Sequence, residues 1–289
     1  MKWKKIGIVG LGLIGSSLAW ALKKTGQVGE VCGVDINEET LEYAARKGII
    51  DSGSKELEDA VKHSEVLVVA TYVSTIPTIA RTVSSLASEG TIVTDVGSVK
   101  GKVVNEIEGF LPPHLYFVGG HPIAGTERSG VEAADSGLFR GKRCILTPTP
   151  KTNPDALAKV KNLWESVGSR VFSMDVETHD RVFAFVSHLP HVVAYALLNS
   201  IASQEESENM LEFAGGGLRD YTRIGVSSPS MWGEIFLTNK ENVLTTIKEF
   251  KKALGVIERM VEEEDLKGLT EELRLAAGVR ERINKKTIP

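Results

Sequence analysis

The chain has 289 residues, 42% hydrophobic and 25% charged, with 34 Lys and Arg against 38 Asp and Glu for a net charge of −4. This length predicts two domains with ample core, and the composition excludes a disordered chain. Its cations are scattered, not massed, so nucleic acid is not an expected partner.

The basic start, Met1–Lys5, and the apolar run after it imitate a signal peptide, but four glycines between Gly7 and Gly15 break that run. No stretch reaches the ~18 consecutive apolar residues of a membrane span, so no membrane partner is expected and the location reads as cytoplasmic. Short apolar runs predict strands at Ile6–Val9, Val31–Val34, Val66–Ala70, Ile92–Thr94, Tyr116–Val118, Arg143–Thr147 and Arg170–Phe172. Amphipathic segments alternate with them, such as Leu41–Lys47, Ile76–Leu86 and Pro154–Val167. Strands alternating with helices predict an α/β fold, a Rossmann-type doubly wound sheet over residues 1–174. Cys32 and Cys144 lie in strand-like stretches and read as buried free thiols.

From Val176 onward nearly everything reads as helix, with breaks at Gly215–Gly217, Ser227–Pro229 and near Asp265–Gly268. Residues 175–289 are therefore expected to form an all-helical C-terminal domain. Val243, Leu244, Ile247, Phe250, Leu254, Ile257, Met260 and Val261 recur at three- and four-residue steps as one apolar stripe. Such a stripe needs cover, either within its own domain or from a second subunit, and a homodimer is expected.

The strongest local motif is Gly10-Leu11-Gly12-Leu13-Ile14-Gly15, between the first strand and a helix expected at Ser16–Lys24. Gly10 permits the tight turn, Gly12 lets backbone approach a pyrophosphate, and Gly15 lets helix and strand pack closely. The helix N-terminus offers free N–H groups to phosphates. Asp35 closes the second strand 20 residues beyond Gly15, where a carboxylate accepts ribose hydroxyls and repels a 2′-phosphate. Ile36–Glu39 supply no Arg or Lys, so NAD is expected over NADP.

Two further segments follow strands at the expected ligand-binding edge: Thr94–Gly101, containing Ser98, and Gly119–Glu127, containing His121 and Thr126. His121, read as lying between a strand and a glycine-rich loop, is the candidate catalytic base. His63, His114 and His179 have polar surroundings that read as exposed and are assigned no role. In the helical half, Ser187–His191 and Gly215–Arg223 stand out. The spacing of His188 and His191 invites a metal reading, but Pro190 disturbs the helix and no third ligand is indicated, so no metal is expected. A glycine-rich turn followed by Arg219 and Arg223 is either a helix break with a surface ion pair or a cradle for a carboxylate substrate.

The order of these segments, from the Gly10–Gly15 motif through Asp95–Gly101, Gly119–Glu127, Ser187–His191 and Gly215–Arg223, resembles the prephenate and arogenate dehydrogenase family of tyrosine biosynthesis. The resemblance runs from Lys5 to about Trp232. It implies oxidative decarboxylation of prephenate by NAD to 4-hydroxyphenylpyruvate, carbon dioxide and NADH, a helical dimerisation domain, and tyrosine as an inhibitor. It implies His121 as the histidine that accepts the hydrogen bond of the ring hydroxyl, Ser98 as the serine that orients it, and Arg223 as the arginine that binds a carboxylate. Thr126, Glu127, His191 and Gly216 match pocket-lining residues. Thr71 lies in the loop beside the nicotinamide, where Tyr72 departs from the family's usual proline and puts the loop's stiffness in question.

Arogenate is the alternative substrate. A β-hydroxyacid dehydrogenase is a rival class, disfavoured because no lysine lies between Arg181 and Lys240. An NAD-sensing regulator with a disused site is the non-enzyme rival, and the joint presence of histidine, serine and arginine counts against it.

Overall fold

The computed structural model describes residues 2–126 and 128–287. In chain order the first elements are β1 (Trp3–Val9), α1 (Leu13–Thr25), β2 (Val28–Val34), α2 (Glu38–Arg46), β3 (Ser52–Ser54) and α3 (Leu57–Val61). Then come β4 (Val66–Val69), α4 (Ile76–Leu86), β5 (Ile92–Asp95), α5 (Gly101–Phe110) and β6 (Tyr116–Ile123). The last strands, β7 (Arg143–Thr147) and β8 (Arg170–Ser173), flank α6 (Pro154–Ser166).

The strands form one sheet in the order β3-β2-β1-β4-β5-β6-β7-β8, and the chain reverses direction across it between β1 and β4. Every pairing is parallel except β6 with β7. Alternate residues of each strand feed two cores. Ile6, Ile8, Val66 and Val68 pack with Leu18, Leu22 and Trp164 on one face. Val9, Leu67, Val69 and Val93 pack with Ala80, Val83 and Ile107 on the other. A parallel sheet covered on both faces demands such continuous apolar strands. This is a doubly wound α/β sheet followed by helices, as expected.

Three local readings need correction. The strand β3 was missed because it is Ser52-Gly53-Ser54, an edge strand with no apolar residue to reveal it. Helix α1 begins at Leu13 instead of Ser16, directly after the N-capping Gly12. The run Gly119–Ile123 is not a loop after a strand. It is the end of β6, which leaves β5 after Val118 and pairs antiparallel with β7, His121 opposite Ile145. Gly120 permits this close approach: a Cβ there would lie 2.7 Å from the Asp95 carbonyl oxygen.

Beyond β8 come α7 (Val176–Phe183), a π-helical turn (Ala184–His188) and α8 (Leu189–Ala202), forming one continuous helical rod. The π turn precedes Pro190, whose missing N–H and bulky ring forbid regular α-helical bonding there. By length and composition alone, Val176–Ala202 is apolar enough to cross a membrane. Its His179, Asp180 and His188, however, are buried in a polar network with the β5–α5 loop, β6 and Asn239. The helices α9 (Ser207–Glu212), α10 (Gly216–Thr222) and α11 (Pro229–Thr238) follow. The chain divides into two compact units, Met1–Lys240 and Glu241–Pro289, the second made of α12 (Lys240–Glu262) from its second residue onward and α13 (Leu266–Thr287). Cys32 and Cys144 are buried and free.

One ion pair holds the ligand-facing edge of the sheet together. Lys100 and Asp95 are both fully buried, and Lys100 Nζ donates to Asp95 Oδ2 and to the Gly120 carbonyl at 2.7 Å. Asp95 also accepts from the N–H groups of Gly97 (2.8 Å) and Gly120 (3.1 Å). The end of β5, the loop after it and β6 are thereby locked together. Removing one member of a buried pair leaves an uncompensated charge. Lys100→Met is expected to destabilise the protein by about 3–5 kcal/mol, measured by urea unfolding; a loss below about 1 kcal/mol, the value of an exposed pair, would contradict this account.

Candidate active site

The glycine-rich turn sits at the C-terminal ends of β1 and β4. Gly10 has φ 94°, and its N–H donates to the Val34 carbonyl at 2.8 Å. A Cβ on Gly10 would run into the Ala70 carbonyl and Thr71, and one on Gly15 would collide with the Gly10 carbonyl oxygen. Gly12 is different: among the described residues, none beyond its chain neighbours lies within 4 Å of where its Cβ would be. No protein neighbour demands glycine at 12, so the open space above it fits an approaching phosphate. The first turn of α1, starting at Leu13 and Ile14, carries no acidic residue and no capping side chain, leaving its N–H groups available to an anion.

Asp35 stands half-buried at the end of β2. Its Oδ2 accepts from the Leu11 N–H at 2.8 Å and its Oδ1 from the Asn37 N–H at 2.9 Å. It therefore fixes the glycine-rich turn as well as offering remaining lone pairs to a ribose, a structural role that its spacing alone did not reveal. The loop after β4 is tied despite lacking proline at 72. Thr75 Oγ1 donates to the Tyr72 carbonyl (2.8 Å) and lies 2.9 Å from Thr71 Oγ1, whose hydroxyl it can accept, and Ser74 Oγ donates to Glu234 at 2.7 Å.

His121 is buried on β6, its ring 4.8 Å from that of Phe183. Burial first, then the nearby His179, Lys100 and His188, pushes its pKa well below the ordinary histidine value. Ser98 is half-buried in the short loop joining β5 to α5. His191 Nδ1 donates to the Ser187 carbonyl at 2.9 Å, and its ring stacks on Trp232 at 3.5 Å, so its Nε2 is left as the acceptor. His188 points Nδ1 at Asn239 instead (3.2 Å), and burial lowers its pKa to about 4. The two histidines of that segment thus have separate partners. Gly216 opens α10 and Arg223 follows its end, both exposed. Thr126 is exposed and accepts from the Arg128 N–H at 3.2 Å. Glu127 lies outside the described residues.

The reading of His179 as an exposed, idle residue is wrong. It is fully buried, with Nε2 2.9 Å from His121 Nδ1 and Nδ1 2.8 Å from Asp180 Oδ1. Asp180 is buried too and accepts from the backbone N–H groups of Lys100 and Gly101, each at 2.8 Å. Its polar neighbours Glu177, Thr178 and Arg181 resembled a solvated stretch. The helical steps Val176, His179, Asp180 and Phe183 were the available signal for an inward face.

A doubly wound sheet, an open glycine-rich turn, a carboxylate at the end of β2 and a buried histidine along one sheet edge are the features of a dinucleotide-dependent dehydrogenase. Comparison with known proteins narrows this. Residues 18–173 match the model of the prephenate dehydrogenase nucleotide-binding domain, and residues 175–275 that of the prephenate dehydrogenase dimerization domain. Prephenate dehydrogenase from Bacillus subtilis is 37% identical over 276 residues, covering 95% of this chain and 74% of that protein. A cyclohexadienyl dehydrogenase from Zymomonas mobilis is 33% identical, covering 91% and 90%. The crystal structure of prephenate dehydrogenase from Aquifex aeolicus, with hydroxyphenyl propionate and NAD+, superposes at a TM-score of 0.92 with 42% identity, covering 98% of this chain and 99% of that one. The chain belongs to the prephenate dehydrogenase family and is an NAD-dependent oxidoreductase.

Asp35→Ala removes both a turn anchor and the negative charge at the end of β2, where a ribose is expected to lie. NAD affinity is expected to fall about tenfold or more, from about 1.5 kcal/mol per charge-assisted hydrogen bond, and discrimination against NADP to narrow. Fluorescence titration with NADH and NADPH measures both; an unchanged ratio of the two dissociation constants would remove Asp35 from cofactor selection.

Proposed function

We propose that this protein oxidises and decarboxylates prephenate to 4-hydroxyphenylpyruvate and carbon dioxide, with His121 as the base. The observation that carries the reading is a buried, neutral imidazole on β6, on the same sheet edge as the glycine-rich turn of β1. Bound NAD supplies the hydride acceptor. Neutral His121 takes the proton of the ring hydroxyl as that carbon is oxidised, then returns it to the phenolate oxygen once carbon dioxide has left. Loss of carbon dioxide restores aromaticity, so the substrate itself supplies much of the driving force. Ser98 orients His121, and Arg223 holds a substrate carboxylate by a charge-assisted bond. Thr126, His191 and Gly216 are assigned to the substrate pocket. Gly10, Gly12, Leu13, Ile14, Gly15, Asp35 and Thr71 hold the cofactor.

The hydroxyphenyl propionate of the Aquifex structure supports this reading, being a phenol with a carboxylate side chain, as the product is. Tyrosine has the same two features and is proposed as an inhibitor at the same site. The similar structure of Synechocystis arogenate dehydrogenase, 29% identical at a TM-score of 0.82, keeps arogenate in view as a second substrate, and kinetics with both compounds decides between them.

We further propose a cytoplasmic homodimer with a functional boundary between residues 174 and 175. The free thiols support the compartment. The dimer is supported by the dimerization-domain match and by the exposed apolar side chains Leu244, Leu254 and Val261 on α12 and Leu273, Leu275 and Val279 on α13.

His121→Asn is expected to lower kcat about 10²–10⁴-fold, with KM and NAD affinity changing far less. Activity requires neutral His121, and burial depresses its pKa, so kcat of the unaltered protein is expected to stay flat through neutral pH. It should fall only below the ordinary histidine range near pH 6.5. A mutant retaining normal kcat would take His121 out of the chemistry. Leu254→Asp is expected to yield monomers or poorly folded protein by light scattering. A single-chain mass for the unaltered protein at micromolar concentration would overturn the dimer.

A further inference from the structure

Two ring nitrogens 2.9 Å apart, His121 Nδ1 and His179 Nε2, share one proton, and which ring owns it decides what the far nitrogen of His121 can do. The next link settles the matter. Asp180 accepts backbone N–H bonds on both oxygens, from Lys100 and Gly101. Burial pushes its pKa up, but the bonds from His179, Lys100 and Gly101 outweigh this and leave it below the usual carboxylate value. An ionised carboxylate only accepts, so His179 Nδ1 must be the N–H donor to Asp180 Oδ1. Burial keeps His179 neutral, which leaves its Nε2 as a lone pair. The shared proton therefore belongs to His121 Nδ1, and the free lone pair of His121 is on Nε2.

We propose that His179 and Asp180 act as a positioning pair that fixes the tautomer of His121, making Nε2 its proton-accepting atom. The inference deepens the reading of His121 as the base and rests on it. In the step itself the substrate O–H bond breaks and an Nε2–H bond forms. The His121 cation keeps its Nδ1–H on His179, and the proton goes back to the phenolate oxygen at the end. Interposing a neutral ring has a purpose. A carboxylate directly against His121 would raise its pKa, whereas Asp180 acts one ring away, and the cation nearest His121 is Lys100. Lys100 is itself paired with Asp95, so His121 is oriented by a carboxylate yet stays neutral.

The test compares His179→Gln, whose side-chain oxygen still accepts from His121 Nδ1, with His179→Leu, which fills similar space and accepts nothing. In Leu the kcat is expected to fall about 10²–10³-fold with KM and NAD affinity nearly unchanged, and Gln is expected to recover most of that loss. A purely structural role predicts no such rescue. Nitrogen-15 spectra of histidine-labelled protein read the tautomer without substrate. His121 is expected to carry its proton on Nδ1 in the unaltered and Gln proteins and to shift toward Nε2–H in Leu. An Nε2–H tautomer in the unaltered protein, or Leu and Gln variants alike in kcat, would overturn the proposal. If neither prephenate nor arogenate is turned over while the spectra behave as expected, the function fails and the positioning pair stands.

Discussion

The buried Lys100–Asp95 pair is the constraint on which the catalytic edge depends. Charges this far from water are tolerable only when every remaining donor and acceptor is also satisfied. Asp95 takes the N–H groups of Gly97 and Gly120 as well, while Lys100 reaches the Gly120 carbonyl. The cost of an unpaired charge thus forces β5, its following loop and β6 into one arrangement. That arrangement sets where Ser98 and His121 stand. It also presents the N–H groups of Lys100 and Gly101 to Asp180, so the first helix after the sheet is docked by the same loop.

Burial does two jobs at His121. It keeps water from the imidazole, and it depresses the pKa, which favours the neutral ring that the proposed role as base requires. Phe183, 4.8 Å from the His121 ring and 4.6 Å from that of His179, supplies apolar cover without adding charge. Among the described residues, the charges next to His121 have partners, Lys100 in Asp95 and Asp180 in two backbone N–H groups and His179. A dry site magnifies the effect of each of these groups, so their placement matters more than their number.

The helical half shows the opposite economy. Among the residues of α13 whose burial is described, none is buried, and large apolar side chains such as Phe213, Val226 and Leu237 stand exposed in the first unit. Exposed apolar surface on this scale marks an interaction face. Two apolar layers close over the sheet, the second completed by Trp232 and Ile235 of α11, and the dimerization-domain match falls on the helical half.

The sequence alone determined the features whose cause is local. The glycine turn, the helix after it and Asp35 lie within one βαβ unit, where spacing and backbone sterics suffice. The apolar strands announce themselves because a sheet covered on both faces admits little else. Tertiary structure decided what depends on distant partners. His121 meets His179 58 positions later, and Lys100 meets Asp180 80 positions later; no periodicity encodes such pairings. His179 and Asp180 looked like surface residues because their type is polar, and only the groups waiting for them in the fold make their burial favourable. The end of β6 and the short β3 were hidden for a related reason. Pairing with a neighbouring strand makes a strand of Gly119–Ile123 and of Ser52–Ser54, and that neighbour is supplied by the sheet, not by the segment itself.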